Sequence, residues 1–346
     1  FMGGLFSGVL AIASPVLGAL AAAVITPLAQ YLNWVIPKLS NIPFAALTMD
    51  SFYYRVWLLL VYAVLLAGVL LKGKKRVRIP AAVCAVTLCA AIALTVSVFR
   101  SGAMAVAVLD VGQGESVLLR CGEELILVDC GGDSQTNAGD IAADYIQNMG
   151  GQRLNLLVIT HFHDDHANGV PQLLERVPVD AVALPVVTED SALRQEIIAT
   201  TQKKQIPMQE IDQDRTITLE QGGVLRLFAP LGAGETNEEG LSVLASSGEF
   251  DVLITGDMGG DVEQLLLEHV QLPHVELMVA GHHGSKYSTS SELLSAIQPE
   301  TAVISVGADN RYGHPAQETL ERLAAAGTEL YRTDLQGTVL IRALGK

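Results

Sequence analysis

The chain has 346 residues, room for two domains, and half of its residues are hydrophobic. Residues 1–100 hold one acid, Asp50, against eight bases, a net of about +7, while residues 101–346 hold 36 acids against 14 bases, a net of −22. These are two physically different objects joined near Arg100, which excludes one uniformly soluble domain, and the acidic second part excludes a broadly basic nucleic-acid binder.

The chain begins at Phe1 and is read as a fragment of a longer protein. Residues 5–32 carry no charge, with Pro15 and Pro27 expected to kink a membrane span. Residues 33–50, with Trp34, Pro37, Lys38 and Pro43, read as interfacial or re-entrant. Residues 52–71, charged only at Arg55, and residues 81–99, with no charge, are each long enough to cross a bilayer core of about 30 Å. Between them, Lys72-Gly73-Lys74-Lys75-Arg76-Val77-Arg78 is a short basic loop that marks the cytoplasmic side. The next span then runs outward and places residues 101–346 outside the cytoplasm.

From residue 101 onward short apolar runs alternate with helical ones. Strands are expected at 105–109, 116–121 and 125–128, the last two joined by a turn at Gly122-Glu123-Glu124. A helix over 141–149 and a buried strand over 154–159 follow. Further strands are expected at 181–184, 224–228, 241–245, 252–255, 275–279, 302–306 and 339–342, and helices near 191–204, 261–270, 290–298 and 316–325. The class is α/β (α+β), two sheets covered by helices. Cys84 and Cys89 sit in an apolar run, Cys121 and Cys130 flank a hairpin out of register, and no CxxC pair is present, so neither a disulfide framework nor a CxxC zinc module is expected.

The chemistry concentrates at strand ends. Thr160-His161-Phe162-His163-Asp164-Asp165-His166 closes the run 154–159 and brings four metal donors, His161, His163, Asp165 and His166, into one loop. Thr255-Gly256-Asp257 follows a second buried strand, and the two oxygens of Asp257 could bridge two cations. Gly281-His282-His283-Gly284-Ser285 follows a third.

His-x-His-x-Asp-His, a later Gly-Asp and a final His resemble the metallo-β-lactamase-fold superfamily. More narrowly, Leu109-Asp110-Val111-Gly112-Gln113-Gly114, Gly281-His282-His283-Gly284-Ser285, Ser305-Val306-Gly307 and Tyr312-Gly313-His314-Pro315 are similar to the C-terminal domain of the ComEC family of bacterial DNA-uptake channel proteins. The resemblance implies a four-layer αββα sandwich over 101–346, preceded by transmembrane helices over 1–100 that end a channel domain. It implies one or two divalent metal ions, zinc or manganese, held by His161, His163, Asp165, His166, Asp257 and one of His282 or His283, the first being preferred. Asp165 and Asp257 would also be catalytic. Asp110, Gln113, Ser285 and His314 would lie near the site mouth, with Gly112 and Gly114 allowing close backbone approach. The partners implied are DNA, membrane lipid and other DNA-uptake proteins, at a bacterial cell membrane.

Three departures from the family pattern stand out. No histidine occurs from Ala167 to Gly256, where the superfamily usually supplies one. One metal position is then short of a ligand, to be filled by water or by a weaker donor such as Asn237 or Ser242. His163 stands where ComEC relatives often carry aspartate, and so does Glu115. The resulting expectation is a membrane-tethered hydrolase that cleaves DNA phosphodiesters on the strand not imported. The rivals are a small-substrate esterase or lactonase on the same fold and a non-catalytic DNA-guiding module. The acidic balance opposes easy DNA binding, but Lys286, Arg311 and Arg332 lie in or near the motif loops.

Overall fold

The computed structural model describes residues 2–40, 52–70, 78–101, 104–133, 137–188, 190–234 and 236–343. The chain divides into two compact units, Phe1–Met49 and Asp50–Lys346.

In the first unit, α1 (Met2–Ala13) and α2 (Pro15–Ser40) form an apolar pair. The expected kinked span over 5–32 is instead broken at Ser14. Pro15 opens α2, where its missing N–H costs nothing. Pro27 passes inside α2 without ending it. Among the described residues, Pro15–Leu32 is the one stretch long and apolar enough to cross a membrane, and it is almost wholly exposed. Residues 33–40 continue α2 rather than re-entering, and residues 41–50 lie outside the described residues.

The second unit starts with α3 (Phe52–Leu70) and α4 (Arg78–Ser101), whose apolar runs Tyr53–Leu66 and Pro80–Leu94 are shorter. They are tied by a hydrogen bond from Trp57 Nε1 to the Cys84 carbonyl at 2.9 Å. The basic loop, apart from Arg78, lies outside the described residues.

Then come β1 (Ala105–Val108), β2 (Val117–Cys121), β3 (Glu124–Val128), α5 (Ala138–Asn148), β4 (Leu156–Val158), α6 (Asp164–Ala167), α7 (Val170–Arg176), β5 (Val182–Pro185), α8 (Ala192–Lys203) and β6 (Met208–Ile211). The second half carries β7 (Arg215–Thr218), β8 (Val224–Phe228), β9 (Ser242–Ser247), β10 (Phe250–Ile254), α9 (Gly260–His269), β11 (Leu277–Val279), α10 (Ser291–Ile297), β12 (Thr301–Ile304), α11 (Gln317–Ala325), β13 (Glu329–Arg332), α12 (Thr333–Gln336) and β14 (Val339–Arg342). They form two seven-stranded sheets, ordered β14-β1-β2-β3-β4-β5-β6 and β13-β12-β11-β10-β9-β8-β7.

Strand alternation makes the layers. Val106 and Val108 join Val117, Ile126, Val243, Ile254 and Val279 in the core between the sheets. Ala107, Leu118, Leu127 and Leu157 face the other way, against Ala142 and Ile146 of α5 and Leu173 of α7. On the far side Leu253, Met278 and Ile304 pack on Val262 and Leu266 of α9, Leu293 of α10 and Leu323 of α11. The result is the expected four-layer αββα sandwich.

Three strands lie beyond the expected ones, β6, β7 and β13. All are sheet edges, and their partly exposed, largely polar residues lack the apolar run that marks the central strands. Helix α5 begins three residues earlier than its apolar spacing implied, because the Asn137 side chain caps it by accepting from Asp140 N at 3.1 Å. All four cysteines are free.

Candidate metal centre

Strands β3 and β4 are parallel neighbours, as are β10, β11 and β12, so each set delivers its following loops to one side. These loops carry Asp129 after β3, Thr160 to His166 after β4, Asp257 after β10, His282 and His283 after β11, and Ser305 after β12. Two glycines let the loops touch. A Cβ on Gly131 would collide with the backbone of Asp165 and His166, and one on Gly114 would meet the Asp165 carbonyl and the backbone of Gly131 and Gly132.

Asp129, fully buried, anchors the centre. One of its oxygens accepts from Thr160 N at 2.7 Å; the other accepts from Thr160 Oγ1 at 2.5 Å and from His166 Nδ1 at 2.7 Å. Because the Thr160 hydroxyl proton goes to Asp129, Thr160 Oγ1 is left to accept from His161 Nδ1, 3.1 Å away. His283 Nδ1 donates to the Ser305 carbonyl at 2.9 Å. In each of the three rings Nδ1 therefore carries the proton, and the Nε2 lone pair points inward.

The lone pairs converge on Asp257. Its Oδ1 lies 2.9 Å from His166 Nε2 and 3.9 Å from His283 Nε2. Its Oδ2 lies 3.5 Å from His282 Nε2 and 3.9 Å from His161 Nε2. Asp165 Oδ2 sits 3.4 Å from His283 Nε2. Both His282 and His283 therefore face Asp257, on opposite oxygens. Consecutive left-handed backbone, φ 50° and 53°, turns the two rings this way. That conformation is uncommon for residues with a Cβ and is held here by its surroundings. Thr289 Oγ1 accepts from Gly281 N, Glu263 accepts from Thr289 N and Ser290 N, and Arg322 donates to the carbonyls of Lys286, Ser288 and Thr289.

The donor set fits a divalent cation. His161 Nε2, His166 Nε2, His283 Nε2 and Asp257 Oδ1 are buried with no hydrogen-bond partner. Left so, such atoms cost about 1–3 kcal/mol each. Asp165, His166, Asp257 and His283 offer donor atoms all within 4.8 Å of one another. Burial works against charge on His166, but the carboxylates of Asp257 and Asp129 outweigh it and raise its proton affinity well above the ordinary. Burial likewise opposes the Asp257 carboxylate, and the imidazoles of His166, His283 and His161 overcome it and hold its pKa well below the usual range. His161 and His282 are held neutral chiefly by burial. The centre thus calls for positive charge beside Asp257 and offers neutral nitrogens to bind it.

The remaining residues surround this core. The exposed His163 ring is edge-on to His161, centroids 4.9 Å apart, but it joins neither set of convergent donors found among the described residues. His314 lies beside His282, ring centroids 5.8 Å apart. Gln113 Oε1 accepts from Gly307 N at 3.2 Å and Ser305 Oγ donates to the Gly114 carbonyl at 2.7 Å, which ties the two sheets together at the mouth. Asp110 is exposed at the same loop, where Gly112 N reaches its Oδ1 at 3.4 Å. Ser285 is buried and receives a long contact from Tyr287 N at 3.4 Å. Ser242 turns its hydroxyl to the Met258 sulfur, 3.8 Å away, and the buried Asn237 Oδ1 has no partner. His269 and His274 pair with Asp214 and Glu276 at the surface.

Two site residues escaped the sequence reading. Asp129 follows the apolar strand β3 as Asp257 follows β10, and that parallel was the available signal. Glu115 was noticed only as a departure. It is buried beside the Asp165 backbone, and burial pushes its carboxyl up to about 7, the His166 imidazole opposing.

Asp129→Asn tests the anchoring directly. It preserves shape but removes the charge that fixes two imidazoles. Metal affinity is expected to fall roughly 10–100-fold with the circular dichroism spectrum unchanged. Wild-type affinity in a titration against a competing chelator would contradict the anchoring role.

Residues 109–308 match the Metallo-beta-lactamase superfamily. ComE operon protein 3 of Bacillus subtilis is 26% identical over 251 residues, covering 68% of this chain and 32% of that protein. Competence protein ComA of Neisseria gonorrhoeae is 29% identical over 239 residues, again covering 68% of this chain and 32% of its own. The chain thus spans about a third of the length of these curated relatives. Among solved structures, the metallo-beta-lactamase fold protein YhfI from Bacillus subtilis is similar at a TM-score of 0.47 and 10% identity, covering 69% of this chain and 99% of its own. With more than half of its length matched, the chain belongs to the metallo-beta-lactamase superfamily, and its curated relatives are competence proteins of the ComEC family.

Proposed function

We propose that the chain is a membrane-held, metal-dependent phosphodiesterase that cleaves DNA during its uptake, residues 1–100 ending a channel domain and 101–346 forming the hydrolase. The observation that carries the chemistry is Asp257, a buried carboxylate with imidazole nitrogens on both of its oxygens. His166, His283 and Asp165 with Asp257 Oδ1 would hold one divalent cation, zinc or manganese. His161 and His282 with Asp257 Oδ2 would hold a second, His163 standing next to them. The DNA assignment rests on the competence relatives, and the membrane assignment on the apolar, exposed α1–α4 and the basic loop.

Divalent metal at this centre would supply Lewis acidity and activate water for attack on phosphorus. The protein's own groups do the rest. Asp129 and Thr160 fix the rings. Asp165, its side chain 27% exposed where Asp257 is at 2%, is the carboxylate open to the mouth and orients the attacking water. His314 offers its imidazole to the phosphate from the far side of His282. His282 supplies the donor that the histidine-free stretch 167–256 does not.

Asp257→Ala should abolish cleavage of linear DNA by the full chain, assayed with zinc and manganese in parallel. It should also lower bound metal at both positions, because it removes the charge that offsets two dications. His166→Ala should empty chiefly one. Full metal content and wild-type cleavage in Asp257→Ala would show an ordinary turn residue instead. Protease added to intact spheroplasts is expected to release a fragment starting near residue 101 that melts cooperatively. Full protection would contradict the orientation, and a fragment without a cooperative melt would contradict the boundary.

A further inference from the structure

The ligands assigned to the first cation come from both sheets. Asp165 and His166 follow β4 of one sheet, and Asp257 and His283 follow β10 and β11 of the other. Donors bound to one zinc ion, each about 2.0–2.2 Å from it, stand roughly 3.0–3.5 Å apart. Asp165 Oδ2 and His283 Nε2 are already 3.4 Å apart. Asp165 lies on a partly exposed turn and His283 in a buried one, far away in sequence, so contacts across the sheets must set that spacing.

A continuous path of hydrogen bonds joins the two ligands, and Ser305 is at its middle. His283 Nδ1 donates to the Ser305 carbonyl at 2.9 Å. The hydroxyl of the same residue, fully buried, donates to the Gly114 carbonyl at 2.7 Å. That carbonyl and the Glu115 N–H belong to one planar peptide unit, a rigid spacer. Glu115 N in turn donates to the Asp165 carbonyl at 2.8 Å. A donor on the oxygen of a peptide unit polarises the N–H on its far side, so each link strengthens the next. The neighbours leave the path little room to shift. Gly131 N donates to the Glu115 carbonyl at 3.0 Å, and a Cβ on Gly114 would collide with the Asp165 carbonyl. Beyond Ser305, the Thr333 hydroxyl accepts from Val306 N at 2.8 Å and donates to the Val306 carbonyl at 2.9 Å.

The second position is tied differently. The loop that carries His161 meets the other sheet through main chain, where Leu241 N donates to the Thr160 carbonyl at 2.9 Å. His282 is fixed within its own sheet, its N donating to the Gly256 carbonyl at 3.0 Å. Neither tie uses a side chain. We propose that Ser305 is a positioning residue for the first cation alone: its carbonyl and its hydroxyl together set the separation of His283 and Asp165, and the second position does not depend on it. The proposal rests on the two-cation reading above and assigns one of those cations to the Ser305 relay.

The test titrates the full chain in detergent with zinc against a competing chelator and counts bound zinc by elemental analysis. The wild type should take two equivalents. Ser305→Ala is expected to weaken one of them about 10- to 100-fold and to leave the other at wild-type affinity. Added to His166→Ala, which empties the first position, Ser305→Ala should change nothing further. Wild-type affinity for both ions in Ser305→Ala would overturn the proposal, and so would an equal loss of both or a further loss in the His166→Ala background. Should Ser305→Ala fail to fold, Ser305→Cys keeps nearly the same size with a weaker donor and is read by the same outcomes. The two readings fail separately. A wild type that binds one zinc ion, weakened by Ser305→Ala, removes the second position and keeps the relay. A wild type that binds two, both untouched by Ser305→Ala, removes the relay alone.

Discussion

The carboxylate of Asp129 sets the direction of every proton in the inner half of the centre. It accepts from His166 directly and from His161 through the Thr160 hydroxyl. Both rings are thereby committed to one tautomer, and both present a bare Nε2 to Asp257. A buried network of this kind is worth more than its separate bonds, because each member leaves the next with a single permitted role. Remove the charge at Asp129 and the rings are free to turn Nδ1 inward, where a proton would occupy the place of a cation. The rest of the site, including the convergence of donors on both oxygens of Asp257, presupposes that this does not happen.

The fold makes the network possible by close approach. Parallel strands in both sheets end on one side, and glycines at 114 and 131 let the loops after β1 and β3 press on the backbone of the histidine loop. The second sheet meets the first through Gln113 and Ser305. Against this rigid frame, the left-handed pair His282 and His283 is held where His282 N donates to the Gly256 carbonyl and His283 Nδ1 to the Ser305 carbonyl, while Glu263 and Arg322 brace the following segment. Strain of about 1–3 kcal/mol per residue in such a conformation is tolerated where surrounding contacts fix it. Here it aims two neighbouring imidazoles at opposite oxygens of one carboxylate.

Much of the fold was legible because its central strands are short, continuously apolar runs buried on both faces, as at β1, β3 and β10. The edge strands β6, β7 and β13 were not, since a strand with one open side can be polar and break the apolar run. The metal-donor clusters were equally plain, being polar residues placed directly after apolar runs. The partner that positions them was not. Asp129 looks in sequence like the end of a hairpin, and only the pairing of β3 with β4 puts it beside Thr160. Sequence also posed His282 and His283 as alternatives, because it carries no backbone angles. Their consecutive positive φ values are what put both rings at Asp257.

On the reading proposed above, Asp257 would be shared between two cations, one held with His166 and His283 and the other with His161 and His282. Anomalous diffraction from crystals loaded with zinc or manganese tests this most directly. Two peaks should flank the Asp257 carboxylate about 3.5–4 Å apart, one beside His283 and one beside His282. A single peak beside Asp257 Oδ1, with the His282 ring turned away from Oδ2, would contradict the account.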